Sequence, residues 1–541
     1  MHQRIGGLPY WELGFDAAGD PDPVAATRLV AGLRACGVTD LVVFVHGWNN
    51  DRSIATGLYE AFFGLLARQA RQAGPWADTL GLVGVHWPAR RWSDEPVADY
   101  APVDPVRLGA DVPAAPSASR PGGGPAAGRG VGSPGGAAAV GGVRPAGAAG
   151  LRPRAGLGPR GGLGPGGEVG PGGGSGARAA QPVTTLLDAA TLHGLRATFP
   201  RGAPALDRMA HLLATAPTTA RVRAFATELR QFATTVAEGF DDGETDGVTD
   251  GETDGEADRA AQPGDRGTGT PALPRMLEGD PVEVYRRFLD GLRRCDAPLA
   301  GVDAVGGAAG LGDPLRGIWN GAKEALRQLT YWQMKNRAGV VGRNGLGPLL
   351  GRLPAAVPGI RLHLVGHSFG ARLVCHAAAW LPGAAPAPAP GPVRSVTLLQ
   401  AAFSQFAFAP VLPFAAHRAG ALVELPARVD GPLTVCYSVH DAALGIFYPL
   451  ASMAAGDAAA ALPDIGERWG ALGYRGARAV SAPRDPIRAV GRSGRYRHGH
   501  RRILNVDASA VVCGGGPPSG AHSDILHPEL TWLVLAAGGL V

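Results

Sequence analysis

Short apolar runs recur along the chain and alternate with stretches of helical spacing. Residues 41–46 (LVVFVH) and 80–87 (LGLVGVHW) are continuous apolar runs, the pattern of parallel strands buried on both faces. Between them, residues 53–73 place Leu58, Phe62, Leu65 and Leu66 on one side, with Arg68, Arg71 and Gln72 among the polar positions. This predicts one β-α-β unit. Further strands are expected at 360–365, 393–400, 432–439 and near 503–512. Helices are expected within 183–240, over 282–295 and 314–337, and in a terminal segment starting near 524. Strands alternating with helices predict an α/β domain with a doubly wound, mostly parallel sheet.

Two stretches break the pattern. Residues 108–181 contain PGGGPAAGRGVGSPGGAAAVGG and GLGPRGGLGPGGEVGPGGG, which lack periodicity and aromatic residues and cannot bury a core. They read as a flexible insertion, or as the product of a reading-frame error in a GC-rich coding sequence. Residues 242–257 give DGETDGVT followed by DGETDGEA. An EF-hand needs a bidentate Glu at its twelfth position and flanking helices, and neither is evident, so a solvated acidic linker is expected. The expected organisation is a first core segment at 24–107, a Gly/Pro-rich low-complexity insertion at 108–181, a helical insertion at 182–240, an acidic disordered linker at 241–275, and a second core segment at 282–541.

Composition supports one sizeable domain with insertions, because much of the 83 Gly and 47 Pro among 541 residues lies in the biased blocks. The net charge of +5 is mild for this length, and no helix-turn-helix, zinc-finger or stacking pattern points to nucleic acid. The arginine-rich stretch 475–502 reads as an exposed basic loop. Cys36, Cys295, Cys375, Cys436 and Cys513 are odd in number and contain no CxxC, which suits reduced thiols in the cytoplasm. The first twenty residues have no apolar signal core, and the longest apolar stretch, 396–415, is interrupted by Gln400, Ser404, Gln405 and two prolines. A soluble protein without a membrane span is expected, with its oligomeric state open.

Chemistry concentrates after the strand at 360–365. There the chain reads GHSFG and then a helix-compatible run. This is the strand–turn–helix setting of a nucleophile elbow. Gly366 and Gly370 sit where a Cβ would crowd the turn around Ser368. The Phe369 N–H opens the helix, where developing negative charge is favoured. A serine hydroxyl needs a base within reach and a third group to orient that base. Asp441 follows the strand at 432–439, on the same rim of a parallel sheet. His522 lies between the last strand and the terminal helix; His527 is its rival, but Pro528 places that residue beside the helix start. A second oxyanion donor is expected from FVHGWNND at 44–51: His46 and Gly47 shape the loop, the Trp48 N–H donates, and Asn49 and Asn50 brace the turn. Trp48, Trp87 and Trp92 are candidates for an apolar acyl pocket, or for ordinary core packing.

With these motifs assembled, residues 38–100 and 315–541 resemble the α/β-hydrolase superfamily. VFVHGWNND, VGVHWPARRW and GAHSDILHPE are similar to a poorly characterised bacterial branch with an HG[YW]N loop. The resemblance implies an α/β-hydrolase fold carrying disordered and helical insertions. It implies hydrolysis of an ester or thioester, a small-molecule acyl substrate, and neither metal nor organic cofactor. Acyl transfer to an acceptor other than water is an alternative, and so is an idle fold serving as an interaction scaffold. The long insertions leave the substrate pocket open.

Overall fold

The computed structural model describes residues 3–89, 92, 187–236, 277, 279–294, 299, 315, 317–381, 391–449, 467–491, 496 and 503–541. The low-complexity segment 108–181 and the acidic segment 241–275 lie outside the described residues.

A nine-stranded sheet runs in the order β1-β2-β4-β3-β5-β6-β7-β9-β8. The strands are β1 (Gln3–Ile5), β2 (Leu8–Gly14), β3 (Asp40–Val45), β4 (Leu80–His86), β5 (Arg361–His367), β6 (Val393–Leu399), β7 (Leu433–Tyr437), β8 (Arg484–Pro486) and β9 (Ile503–Asp507). Every neighbouring pair is parallel except β1 with β2. The central strands are apolar at successive positions because both faces are covered. On β3, Leu41, Val43 and Val45 enter one hydrophobic core, while Val42 and Phe44 enter the other. Phe44 packs against Tyr59, Phe62 and Phe63 of the helix α2 (Arg52–Ala73). Burial of each such ring contributes about 2–3 kcal/mol.

The terminal helix Pro528–Ala537 lies on the same face as α2, tied to it by Gln69 Nε2 donating to the Pro528 carbonyl at 2.8 Å. The other face carries α1 (Pro23–Ala35). It also carries the insertion helices α3 (Ala189–Thr198), α4 (Ala203–Leu213) and α5 (Thr219–Val236), together with α6 (Pro281–Arg294). The helix α7 (Ile318–Val340) is buried along nearly its whole length. It continues through a wide turn at Val341–Leu346 into α8 (Gly347–Ala356). The helix α9 (Phe369–Ala379) follows β5.

Three expectations shift. The ordered chain begins well before residue 24: β1 and β2 extend the sheet edge, Gly6 and Gly7 at positive φ turn the chain between them, and β1 has only three residues, too few for a clear period. The basic stretch 475–502 is not all loop, because Arg484–Pro486 pairs with β9 as the outermost strand. The terminal helix starts at Pro528 rather than 524, since 520–523 closes a separate tight turn. Among the described residues, no helix is long and apolar enough to cross a membrane.

Candidate active site

Parallel strands direct their C-terminal ends to one rim, and β5 delivers Ser368 there. Ser368 sits between β5 and α9 with φ 55° and ψ −120°, a conformation that costs an L-residue about 1–3 kcal/mol. The turn is enforced by packing. A Cβ on Gly366 would lie 2.4 Å from the Ala371 Cα, and one on Gly370 would lie 2.1 Å from the Val45 carbonyl oxygen. The Ser368 N–H donates to the Leu399 carbonyl at 3.1 Å, and the Ser368 carbonyl accepts from Ala371 and Ala402.

The three residues expected to cooperate converge. Ser368 Oγ is 2.9 Å from His522 Nε2, and His522 Nδ1 is 2.7 Å from Asp441 Oδ2. Asp441 is fully buried, and its other oxygen accepts the Leu444 N–H at 2.9 Å. An Nδ1–H facing the carboxylate leaves the Nε2 lone pair for the serine hydroxyl. The loops carrying base and orienter are sewn together: the Ala521 N–H donates to the His440 carbonyl at 2.9 Å, and the Ala443 N–H to the Ser519 carbonyl at 3.2 Å. His527 is occupied elsewhere, with its Nε2 2.8 Å from Asp524 Oδ1 at the head of the terminal helix.

The 46–50 loop lies directly over the serine, since a Cβ on Gly47 would approach the Ser368 Cβ to 2.7 Å. Asn50 Nδ2 donates to the carbonyls of Gly47 at 3.2 Å and Trp48 at 3.1 Å. Asn49, at φ 64°, bonds the Trp92 backbone through both its amide atoms. His46 is fully buried. Its Nδ1–H donates to the Gly47 carbonyl at 2.9 Å, its ring stacks on Trp87, and Trp87 Nε1 donates to the His46 carbonyl. Burial pushes its pKa down to about 3, so the ring is a neutral brace for the loop. The backbone N–H groups of Trp48 and Phe369 thus belong to the two elements that border Ser368, one from the loop and one from the first residue of α9.

A cavity of about 410 Å³ opens at Ser368 and His522. Trp48 lines it, but Trp87 and Trp92 do not. Both are core residues, Trp92 lying under the Arg327 guanidinium with its Nε1–H on Thr330 Oγ1. The apolar wall comes instead from Leu444, Phe447 and Tyr448. A second wall is a helix face, carrying Glu324, Arg327, Gln328 and Tyr331 of α7, and it adjoins the first where the Tyr331 and Tyr448 rings lie 6.4 Å apart. Sequence reasoning missed this wall because polar residues at helical spacing ordinarily mark a solvated face.

It also passed over His367. Its ring is buried beside His522, with Nε2 2.8 Å from the His522 carbonyl, so the Nε2–H donates there. Burial, aided by the nearby His522, lowers its pKa to about 3. The ring is therefore a fixed donor that holds the backbone bearing the relay histidine. Its place inside GHSFG was the available signal. Among the described residues, no cluster of His, Cys, Asp or Glu could hold a metal ion. No protein-family model, no curated protein and no solved structure matches the chain.

Proposed function

We propose that the chain is a serine hydrolase of the α/β-hydrolase type that cleaves a carboxylic ester or thioester through an acyl-enzyme. The observation that carries this reading is the continuous relay from Asp441 through His522 to Ser368, at 2.7 and 2.9 Å, ending on a strained serine at a cavity. Ser368 Oγ attacks the acyl carbon while its proton passes to His522 Nε2. The N–H groups of Phe369 and Trp48 stabilise the oxyanion. Collapse breaks the bond to the leaving oxygen or sulfur, which takes the proton from His522. Water then repeats the sequence, forming the acid and restoring the Ser368 hydroxyl. Asp441 keeps the histidine in the right tautomer throughout. The burial of Asp441 and the convergence of all three side chains weigh against an idle scaffold.

The test is labelling of the full chain with a fluorophosphonate probe, comparing the native protein with Ser368→Ala and His522→Ala. Labelling lost in both variants, together with p-nitrophenyl ester turnover reduced by about 10⁴-fold or more, is the expected result. A folded native chain that does not label would overturn the reading. Release of an acylated amine or alcohol in place of free acid, when such acceptors are added, would redirect it to acyl transfer.

A further inference from the structure

His522 is carried by the loop between β9 and the terminal helix, and part of that loop is intrinsically loose. Residues 513–520 read CGGGPPSG. Three successive glycines have wide backbone freedom, so holding them in one conformation costs more than holding other residues. Asp524, two residues past His522, supplies an anchor. Its Oδ2 accepts the N–H groups of Cys513 at 3.0 Å and Gly514 at 2.7 Å, and its Oδ1 accepts from His527 Nε2 at 2.8 Å. One carboxylate therefore ties together the start of the glycine run, the turn that follows the relay histidine, and the residue that precedes the terminal helix. The Asp524 N–H donates to the Ala521 carbonyl at 3.1 Å, and the Ala521 N–H donates to the carbonyl of His440, next to Asp441. The turn that bears His522 is thus held from both ends. Burial works to raise the Asp524 carboxyl, but the bonds from His527, Gly514 and Cys513 outweigh it and hold it below the ordinary carboxylate range. Bonds from N–H groups to an ionised carboxylate are about twice as strong as neutral ones.

We infer that Asp524 is a positioning residue for the reaction: by pinning the glycine run to the turn after His522, it keeps the His522 ring in line with Ser368. This rests on the hydrolase reading above. A misplacement of about 1 Å at a reacting group costs on the order of 100-fold in rate, so slack in this loop is felt in kcat while the rest of the fold stands. A purely structural role would lower the amount or stability of folded protein and leave kcat per folded molecule unchanged.

The experiment uses the full chain and its Asp524→Ala and Asp524→Asn variants. It measures kcat and KM for p-nitrophenyl butyrate per folded molecule, the rate of fluorophosphonate labelling, and amide hydrogen exchange across residues 508–526. Asp524→Ala is expected to lower kcat by about 10–100-fold with KM changed by less than about threefold, to slow labelling in proportion, and to speed exchange in the loop. Asp524→Asn keeps an oxygen for the Cys513 and Gly514 N–H groups but not the charge, so its kcat should lie between the two, about fivefold below native. With the native chain labelled, a folded Asp524→Ala that retains kcat within about twofold, or whose loss falls on KM alone, would overturn the inference by itself. So would an Asn variant no better than Ala. If Asp524→Ala does not fold, Asp524→Asn decides, and native kcat with native exchange in the loop would overturn the inference. Failure of the native chain to label would remove the hydrolase reading, and this inference with it.

Discussion

Among the described residues, two Ser–His–Asp chains have similar distances and opposite surroundings. At the rim, Ser368, His522 and Asp441 are linked at 2.9 and 2.7 Å. Toward the other end of the sheet, Ser395 Oγ is 3.0 Å from His363 Nδ1, and His363 Nε2 is 3.0 Å from Asp40 Oδ1. The second set sits on three adjacent strands, near the starts of β3, β5 and β6. Its histidine is turned round, with Nδ1 toward the serine. All three residues are fully buried, and none of them lines the cavity at Ser368. Ser395 has ordinary strand backbone, whereas Ser368 is held at φ 55°. Burial works to raise the Asp40 carboxyl, but hydrogen bonds from His363, Arg361 and Thr39 outweigh it and hold it at about 2. The contrast separates residue identity from function. The same three side chains brace a sheet when packed between strands, and meet at a cavity when a tight turn lifts the serine to the rim.

The largest expected effect comes from exchanging one serine at a time. Ser368→Ala should abolish ester turnover, by about 10⁴-fold or more. Ser395→Ala should leave kcat within about twofold and lower the unfolding free energy by about 1 kcal/mol, read in urea titrations. Equal losses of activity in both would erase the distinction. The acids should divide in the same way. Asp441→Asn should lower kcat by about 10⁴-fold with thermal stability near native, while Asp40→Asn should lower stability by about 1.5–3 kcal/mol with little change in kcat per folded molecule.

A smaller effect is expected at His367. Replacing it by Leu removes the donor to the His522 carbonyl and should lower kcat by about tenfold with little change in KM. Gln, which keeps an N–H donor, should restore part of that loss. If Gln and Leu behave alike, the ring serves only as packing.

A separate effect, on stability and not on turnover, concerns acid. His46 and His367 are neutral in the folded chain down to about pH 3, whereas unfolded histidine takes up a proton below about pH 6.5. Between those values the unfolded state binds more protons, so stability falls as pH falls, by up to about 1.4 kcal/mol per pH unit for each ring. Asp40 adds its own loss only below about pH 4, as the pH falls toward its folded value of about 2. Urea midpoints measured between pH 7 and 4.5 should therefore drop in the native chain and drop less steeply in His367→Gln. Parallel slopes would show that His367 is not held neutral by burial.

How much of this was legible in the sequence depends on the range of the interaction. The strands β3 to β7 and the elbow could be read because their signals are local: continuous apolar runs, and glycines two residues either side of a serine. Asp441 and His522 could be placed because parallel strands share a rim. The Asp40–His363–Ser395 network could not, since its members come from three separated strands and none carries a local signature. The burial of α7 was hidden for a related reason. Its helical period was clear, but only the loops at 48–50, 443–448 and 514–526, distant in sequence, decide that Glu324 and Arg327 face a cavity and not solvent. The edge strands β1 and β8 were too short for a period to emerge.

The connection from β4 to β5 takes in residues 87–360, although only β3 separates these strands in the sheet. Closing a chain of that length is inexpensive in entropy: a tenfold longer link between fixed ends adds only about 2 kcal/mol, even for wholly loose chain. Added length in this excursion therefore costs the sheet little in closure entropy, although α7, buried in its core, cannot be removed without loss. The relay is encoded downstream of residue 361, whereas the α7 wall of the cavity is encoded inside the excursion. Exchanging the excursion would therefore change one wall of the cavity and leave the Asp441–His522–Ser368 chain and the Leu444–Tyr448 wall in place.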